Sequence, residues 1–379
     1  MTGSGAWIAG RGVPLGRRMV AHQRARFAIT IAGIGVAVVL VLFLIALYEG
    51  VRVEANGYVA SRPVDAWVAQ DSTTNFIKST SLLPAGEGDL LAEVDGVAEV
   101  TPLLRVITTA VANDARFTVI LLGIDPRSDA GRPEVVQGSA TPANGEIVLD
   151  LALARQHHVS PGDTIVVQQH PFRVIGLSRG TNSVLTQFAV VTFEDAQLLL
   201  GVPDMTSFFL VRGRPGLTPD ALVRRLSGQV PRTAVFTEAE FAANNMHELR
   251  GGLLPILATV AVLGGIVALA VLTLLLYGAI LEQRETYAVL KAIGASSGAL
   301  GRVVVVQALA AALGGLAFGV VAYAACAPLV ERLVPAMALS LPLPAIAWVG
   351  LAVSVMGVAG AVVPLRRVGR IHPAELFRA

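Results

Sequence analysis

The chain of 379 residues is 54% hydrophobic and only 15% charged. Soluble globular domains carry about a quarter charged residues, so an ordinary cytosolic enzyme is excluded. The formal net charge of +2 conceals an uneven distribution, because residues 27–48, 253–281, 303–330 and 343–365 contain no Asp, Glu, Lys or Arg.

A helix of about 20 apolar residues crosses the hydrocarbon core of a bilayer, and each uncharged stretch is long enough. The sequence therefore predicts an α-helical membrane protein with four transmembrane helices, one plus three. The plan is an N-terminal segment 1–26, a first helix 27–48, a large domain 49–252 and a second helix 253–281. A loop 282–302, a third helix 303–330, a short loop 331–342, a fourth helix 343–365 and a tail 366–379 complete it.

Charge sign supplies the orientation. Segments 1–26, 282–302 and 366–379 together carry a net +9, whereas 49–252 and 331–342 carry −7. Arg11, Arg17, Arg18, Arg24 and Arg26 precede the first helix without an acid among them, and Arg366, Arg367 and Arg370 follow the last. Basic residues near the spans stay inside, which makes both termini cytoplasmic and places 49–252 outside. The first helix exceeds the 7–15 residues of a signal-peptide core, and Leu47-Tyr48-Glu49 is a poor cleavage site, so it is expected to remain as an anchor.

Within 49–252, short apolar runs alternate with turn signals, the pattern of a folded α+β domain. Strands are predicted at 65–70, 117–124, 146–149, 164–168, 172–177, 187–192 and 207–212, and helices at 88–94, 151–157, 194–199, 219–226 and 238–246. Thr218-Pro219-Asp220 has the form of a helix start, and Pro161-Gly162-Asp163 that of a turn. Residues 71–88, rich in Ser, Thr and Gly, read as a mobile loop, and 49–60 and 238–250 as outward continuations of their membrane helices. The single cysteine, Cys326, lies in the third helix, so the external domain has no disulfide to stabilise it.

Several chemistries can be weighed from the residues. Neither lysine, Lys78 or Lys291, follows a glycine, so the chain has no P-loop and an ATP-driven cycle requires a partner subunit. Gly294-Ala295-Ser296-Ser297-Gly298 matches the nucleophile-elbow pattern, but an elbow needs a strand before it and His and Asp partners; a turn between helices fits better, and a membrane hydrolase using Ser296 ranks last. His157, His158 and His170 lack a ligand-like spacing and read as surface histidines. No Asp, Glu, Lys, Arg or His lies inside a predicted span, which argues against proton or sodium coupling. Gly315 and Gly319 form a G-x-x-x-G capable of close helix packing. Neither catalytic residues nor a metal or cofactor site is expected on this chain.

The loop after the second helix, Glu282-Gln283-Arg284-Glu285-Thr286-Tyr287-Ala288-Val289-Leu290-Lys291-Ala292-Ile293-Gly294-Ala295-Ser296, mixes charges and carries Tyr287, Leu290 and Gly294 at helical spacing. A short amphipathic helix of this kind suits docking in the groove of a soluble partner.

At these residues the chain resembles the FtsX-like/MacB-type ABC transporter permeases. Their pattern here is roughly E-R-x-x-E-I-x-x-L-R/K-A-I/L-G-A-S, and Glu282, Arg284, Glu285, Leu290, Lys291, Ala292, Ile293, Gly294, Ala295 and Ser296 fall on it with small slippage; Thr286-Tyr287-Ala288 departs from it. Ala32-Gly33-Ile34-Gly35, Gly145-Glu146-Ile147-Val148-Leu149, Pro161-Gly162-Asp163-Thr164, Phe172-Arg173-Val174-Ile175-Gly176 and the tail 364–375 add to the resemblance.

The resemblance implies an FtsX-like permease domain over 253–379 and a MacB-like periplasmic-core-type domain with a stalk over 49–252. It further implies a stand-alone, DevC-like membrane subunit in a bacterial cytoplasmic (inner) membrane. The partners it implies are an ABC ATPase dimer holding the ATP and Mg, a second permease copy or paralogue, and an extracytoplasmic adaptor or hydrolase; no nucleic acid is expected. Glu282, Arg284, Glu285, Tyr287, Leu290, Lys291, Gly294 and Ala295 would form the ATPase-coupling interface. The expected function is export or extracytoplasmic substrate handling driven by ATP, the alternative being an FtsX-like activator of external cell-wall hydrolases.

Overall fold

In the computed structural model, residues 24–54, 56–76, 81–183, 186–282, 296–335, 337 and 339–369 are described. They fall into a helical unit, drawn from 1–46, 257–329 and 341–379, and an α/β unit of 47–256 with 330–340. In chain order the helices are α1 (Arg24–Glu54), α2 (Gly57–Ala60), α3 (Glu87–Ala92), α4 (Leu151–Gln156), α5 (Phe193–Leu200), α6 (Pro219–Leu226), α7 (Glu238–Gly251), α8 (Leu253–Glu282), α9 (Ser297–Leu333) and α10 (Leu343–Gly369). The principal strands are β1 (Ala66–Gln70), β2 (Leu83–Pro84), β3 (Val97–Ala112), β4 (Ala115–Ile124), β5 (Glu134–Gly138), β6 (Glu146–Asp150), β7 (Thr164–Val167), β8 (His170–Arg179), β9 (Asn182–Ser183), β10 (Thr186–Thr192), β11 (Met205–Thr206), β12 (Phe208–Gly213) and β13 (Thr233–Thr237).

Each of the four uncharged stretches lies inside one of the long helices α1, α8, α9 and α10. Two segments, Ala28–Glu54 and Gly298–Leu333, are long and apolar enough to cross a membrane as single helices. Helix α1 buries Thr30, Ile34, Val38, Leu42 and Ala46 at four-residue steps, which align on one face. The outward faces are apolar as well: Val36, Leu274, Val321 and Trp348 are exposed. Such a surface suits hydrocarbon rather than water.

The expected continuation of the second long helix outward is interrupted. Helix α7 stops at Gly251, Gly252 takes a non-helical φ of −120° with ψ of −85°, and α8 restarts at Leu253. Two adjacent glycines, the poorest helix formers after proline, sit at the break. Helix α1, by contrast, runs on without a break through Glu54.

The α/β unit is built on one mixed sheet in the order β13-β1-β12-β3-β4-β10-β6-β8-β5, with β7 bridging β3 and β8. Strand β3 is its long axis. Its first half pairs with β12 and its second half with β4, from Leu103↔Ile124 to Ala112↔Ala115. The hairpin closes through Asn113 and Asp114, both at positive φ (47° and 62°), the backbone that a two-residue primed turn demands and that Asn and Asp tolerate. The sequence pattern missed β3 because Glu99, Pro102 and Arg105 interrupt its alternation. Pro102 is tolerated because β4 begins to pair only at Leu103, so it sits where one side of the strand is an edge.

The stretch 71–88 is not the free loop expected from its composition. Thr73, Asn75, Phe76 and Ser81 are buried, β2 pairs with β11, and α3 begins at Glu87. A single aromatic, Phe76, inside the polar run anchors it in the core.

Candidate functional site

The chain enters the α/β unit through α2 and leaves it through α7, and both ends meet in one aromatic core. On the inbound side, Tyr58 is 2% exposed. Its hydroxyl donates to the Gly131 carbonyl at 3.1 Å, and burial pushes its pKa up to about 12, so it remains a neutral donor. Four residues on, Arg62 folds back over the Tyr58 ring, its guanidinium carbon 4.3 Å from the centroid. Arg62 Nε donates to the Tyr58 carbonyl at 3.0 Å, Nη2 to Ser61 Oγ at 3.0 Å, and Nη1 to the Arg132 carbonyl. Burial lowers the Arg62 pKa, opposed by Tyr58 and Glu134. The buried charge is thus held by carbonyl dipoles and a ring face, an arrangement that is costly to disturb once assembled.

On the outbound side, Phe241 of α7 stacks on Trp67 with centroids 5.1 Å apart and on Phe236 at 5.6 Å. The helix start is firmly defined: Thr237 and Glu240 form a reciprocal capping box. One turn beyond Phe241, Asn245 is fully buried, and its Oδ1 accepts the backbone N–H of Phe76 at 2.6 Å.

Phe76 joins the two sides. Its ring contacts Tyr58 at 5.3 Å, Trp67 at 5.7 Å, Phe188 at 5.9 Å and Phe208 at 5.4 Å. Aromatic pairs in such offset and edge geometries add ~0.5–1.5 kcal/mol each beyond area burial, so the core ties the inbound and outbound segments into one stiff piece. The loop after β4 reinforces the inbound side. Arg212 donates to Asp129 Oδ1 at 2.5 Å, Glu99 Oε2 at 3.0 Å and the Pro63 carbonyl at 2.9 Å, and Gly131 and Arg132 of the same loop receive Tyr58 and Arg62.

In the helical unit, Gly315 and Gly319 face α1. A side-chain carbon on Gly315 would overlap Ile34, and one on Gly319 would lie 2.6 Å from Val38 Cγ1 and 3.0 Å from the Gly35 carbonyl oxygen. Both glycines therefore let α9 approach α1 backbone to backbone, the geometry that small-xxx-small patterns permit.

Two sequence models match the chain: the MacB-like periplasmic core domain over residues 27–229, and the FtsX-like permease C-terminal domain over residues 258–373. The first alone spans more than half of the chain. This chain belongs to the FtsX-like/MacB-type permease family. It is 29% identical over 371 residues to an ABC transporter permease of Mycobacterium tuberculosis, covering 95% of this chain and 97% of that one. A second permease of the same organism is 27% identical over 358 residues, covering 94% and 96%. Among solved structures, the periplasmic region of MacB from Actinobacillus actinomycetemcomitans aligns at 16% identity with a TM-score of 0.38, over 47% of this chain and 90% of that one. The protein is a membrane protein of the ABC permease family, whose α+β domain is extracellular.

Of the residues that sequence reasoning singled out in this permease, Glu282 closes α8, and Arg284, Glu285, Tyr287, Leu290, Lys291, Gly294 and Ala295 lie outside the described residues. Ser296 precedes α9, where its Oγ accepts the Ala299 N–H at 3.2 Å, an N-cap role. The histidines are not all on the surface: His157 is half-buried and stacks on Phe117 at 4.0 Å, and burial, followed by the neighbouring His158, lowers its pKa. Among the described residues no three His, Cys, Asp or Glu side chains gather as metal ligands. Sequence reasoning missed Tyr58, Arg62, Phe76, Phe241 and Asn245. The available signal was a lone aromatic, Phe76, in a polar run, and Phe241 and Asn245 four apart on one helical face.

Proposed function

We propose that this permease subunit works beside a separate ATP-hydrolysing subunit dimer and carries the motion of ATP-driven closure to its external domain, for export or handling of a substrate outside the membrane. In this reading all four long helices span the bilayer, both termini are cytoplasmic, and a second permease copy or paralogue completes the complex. The loop 282–302 receives the push through Glu282, Arg284, Glu285, Tyr287, Leu290, Lys291, Gly294 and Ala295. ATP and Mg are held by the partner, and this chain performs no hydrolysis of its own.

The observation that carries the reading is the convergence of both domain ends on Phe76. A domain whose inbound and outbound segments share one core responds as a body to movement of either, which a force-receiving domain needs and a passively tethered one does not. The membership of the family and the ABC permease relatives support the partner ATPase.

The test is reconstitution with the ATPase subunit that copurifies with this chain. Gly294→Trp, and Glu285→Arg combined with Leu290→Ala, should abolish stimulated ATP turnover while insertion and dimerisation persist; undiminished association and turnover in both variants would defeat the assignment. Orientation is checked separately in a Cys326→Ser background. Ser139→Cys should react with an impermeant thiol reagent from outside, and Ser297→Cys only after the inner membrane is opened.

A further inference from the structure

The segment 56–64, between α1 and β1, is joined to the rest of the α/β unit by side chains rather than by backbone pairing. The N–H groups of Ala60, Arg62 and Val64 donate within the segment, to the carbonyls of Asn56, Val59 and Arg62. Backbone bonding to the sheet begins at Asp65, whose N–H donates to the Val211 carbonyl at 3.0 Å. Ahead of that point Tyr58, Val59 and Val64 are buried in the aromatic core, a contact that has no direction. The directional bonds that the segment sends outward come from Tyr58 and Arg62, and they end on the carbonyls of Gly131 and Arg132.

Both acceptors lie in the loop 125–132, which is itself tied to the sheet. Arg132 Nη2 donates to the Pro126 carbonyl at 3.2 Å and closes the loop on itself. Ser128 Oγ donates to Glu99 Oε1 at 2.5 Å and lies 2.8 Å from Thr101 Oγ1, and Arg212 spans Asp129 and Glu99. Glu99 and Thr101 belong to β3. A continuous chain of bonds therefore runs from α2 through Arg62 and the loop into the long strand of the sheet.

Stability does not account for Arg62. It is 7% exposed, and its guanidinium is held by the carbonyls of Tyr58 and Arg132, the Ser61 hydroxyl and the Tyr58 ring. Among the described residues it forms no ion pair with a carboxylate. A buried cation carries a desolvation penalty, and apolar side chains of similar volume in place of buried ionic groups are often neutral or stabilising. What an apolar chain lacks is the planar fork that fixes several acceptors in one geometry.

We infer that Arg62 is a positioning residue for the transmission of movement, making a displacement of the inbound segment a displacement of the loop 125–132 and of β3. The inference rests on the force-transmitting reading proposed above and names the residue through which the force passes.

The experiment compares the full-length wild type with Arg62→Met and Arg62→Lys, reconstituted with and without the copurifying ATPase subunit. Arg62→Met should melt at or above the wild-type temperature. In the permease alone, its amide hydrogen exchange should rise over 57–64 and 125–132 and stay unchanged in β6 and β10. Permease-stimulated ATP turnover per assembled complex should fall by about tenfold or more, the scale of a coupling between sites. Arg62→Lys should fall between, because an ammonium keeps the charge without the fork. Arg173→Met, the same change at an exposed arginine, should alter none of the three. Unchanged exchange over 125–132 in Arg62→Met would overturn the role, as would full turnover in a variant whose segment has come loose. Loss of turnover in proportion to a lowered melting temperature would overturn it too, by making Arg62 merely structural. A wild-type complex without stimulated turnover defeats the force-transmitting reading and the inference with it, whereas the other adverse outcomes strike Arg62 alone.

Discussion

The backbone N–H of Phe76 donates to Asn245 Oδ1 at 2.6 Å across 169 positions of sequence. This one bond fixes the segment after β1 against the helix by which the chain leaves the α/β unit. Phe76→Ala removes a fully buried ring and should cost ~3–5 kcal/mol of stability. Asn245→Ala leaves a buried N–H without its acceptor, a loss of ~1–3 kcal/mol, partly offset because Asn245 Nδ2 has no partner to lose. Thermal unfolding of the full-length protein in detergent measures both; Phe76→Ala keeps the backbone N–H that Asn245 Oδ1 accepts, so it tests the ring and Asn245→Ala tests the bond.

Close approach of α9 to α1 depends on two glycines. Gly319→Ala places a carbon 2.6 Å from Val38 Cγ1, an overpacking expected to cost ~1–3 kcal/mol. Gly265→Ala, with open space around the new carbon, should be neutral or stabilising, since alanine is favoured over glycine in a helix by ~1 kcal/mol. The contrast is read from the two melting temperatures, and equal destabilisation by both would contradict the packing.

Ser296 caps α9 through its Oγ, which accepts the Ala299 N–H. Ser296→Ala should lower stability by ~0.5–2 kcal/mol, the usual cost of a lost cap. Ser296→Asp should restore it, because a carboxylate also favours a helix N-terminus. ATP turnover of the complex should survive in both, and complete loss in a normally assembled Ser296→Ala complex would revive a nucleophilic serine.

His157 makes the α/β unit sensitive to acid. Its pKa is lowered in the folded protein by burial and by His158, so the unfolded chain binds the proton more readily. Stability from this group is fully present above the unfolded value of ~6.5 and is lost as pH falls through it toward the folded value. Melting temperature should therefore drop between pH 7.5 and pH 5, roughly the window in which histidine changes charge. His157→Phe, which keeps a ring against Phe117, should flatten that drop; an unchanged profile would show that His157 is not its source.

Sequence alone determined what depends on local pattern or on solvent. The four uncharged stretches each lie in one long helix, because a backbone in an apolar run satisfies its hydrogen bonds within itself. Helix α6 begins where Thr218-Pro219 places it, the threonine accepting the Ala221 N–H at 3.4 Å, because a cap acts over three residues. Strands β1, β4, β6, β7, β8, β10 and β12 coincide with the short apolar runs between turn signals. Only the tertiary structure decided the rest. Strand β3 reads poorly because Pro102 is acceptable only ahead of Leu103, where β4 begins to pair. Residues 71–88 read as a free loop because composition counts their polar majority, whereas Phe76 finds four rings contributed by Tyr58, Trp67, Phe188 and Phe208. The break at Gly252 and the open space beside Gly265 have the same lesson: a glycine in sequence states only that a side chain is missing, and its neighbours in space decide whether that absence coincides with a bend, a close contact with another helix, or open space.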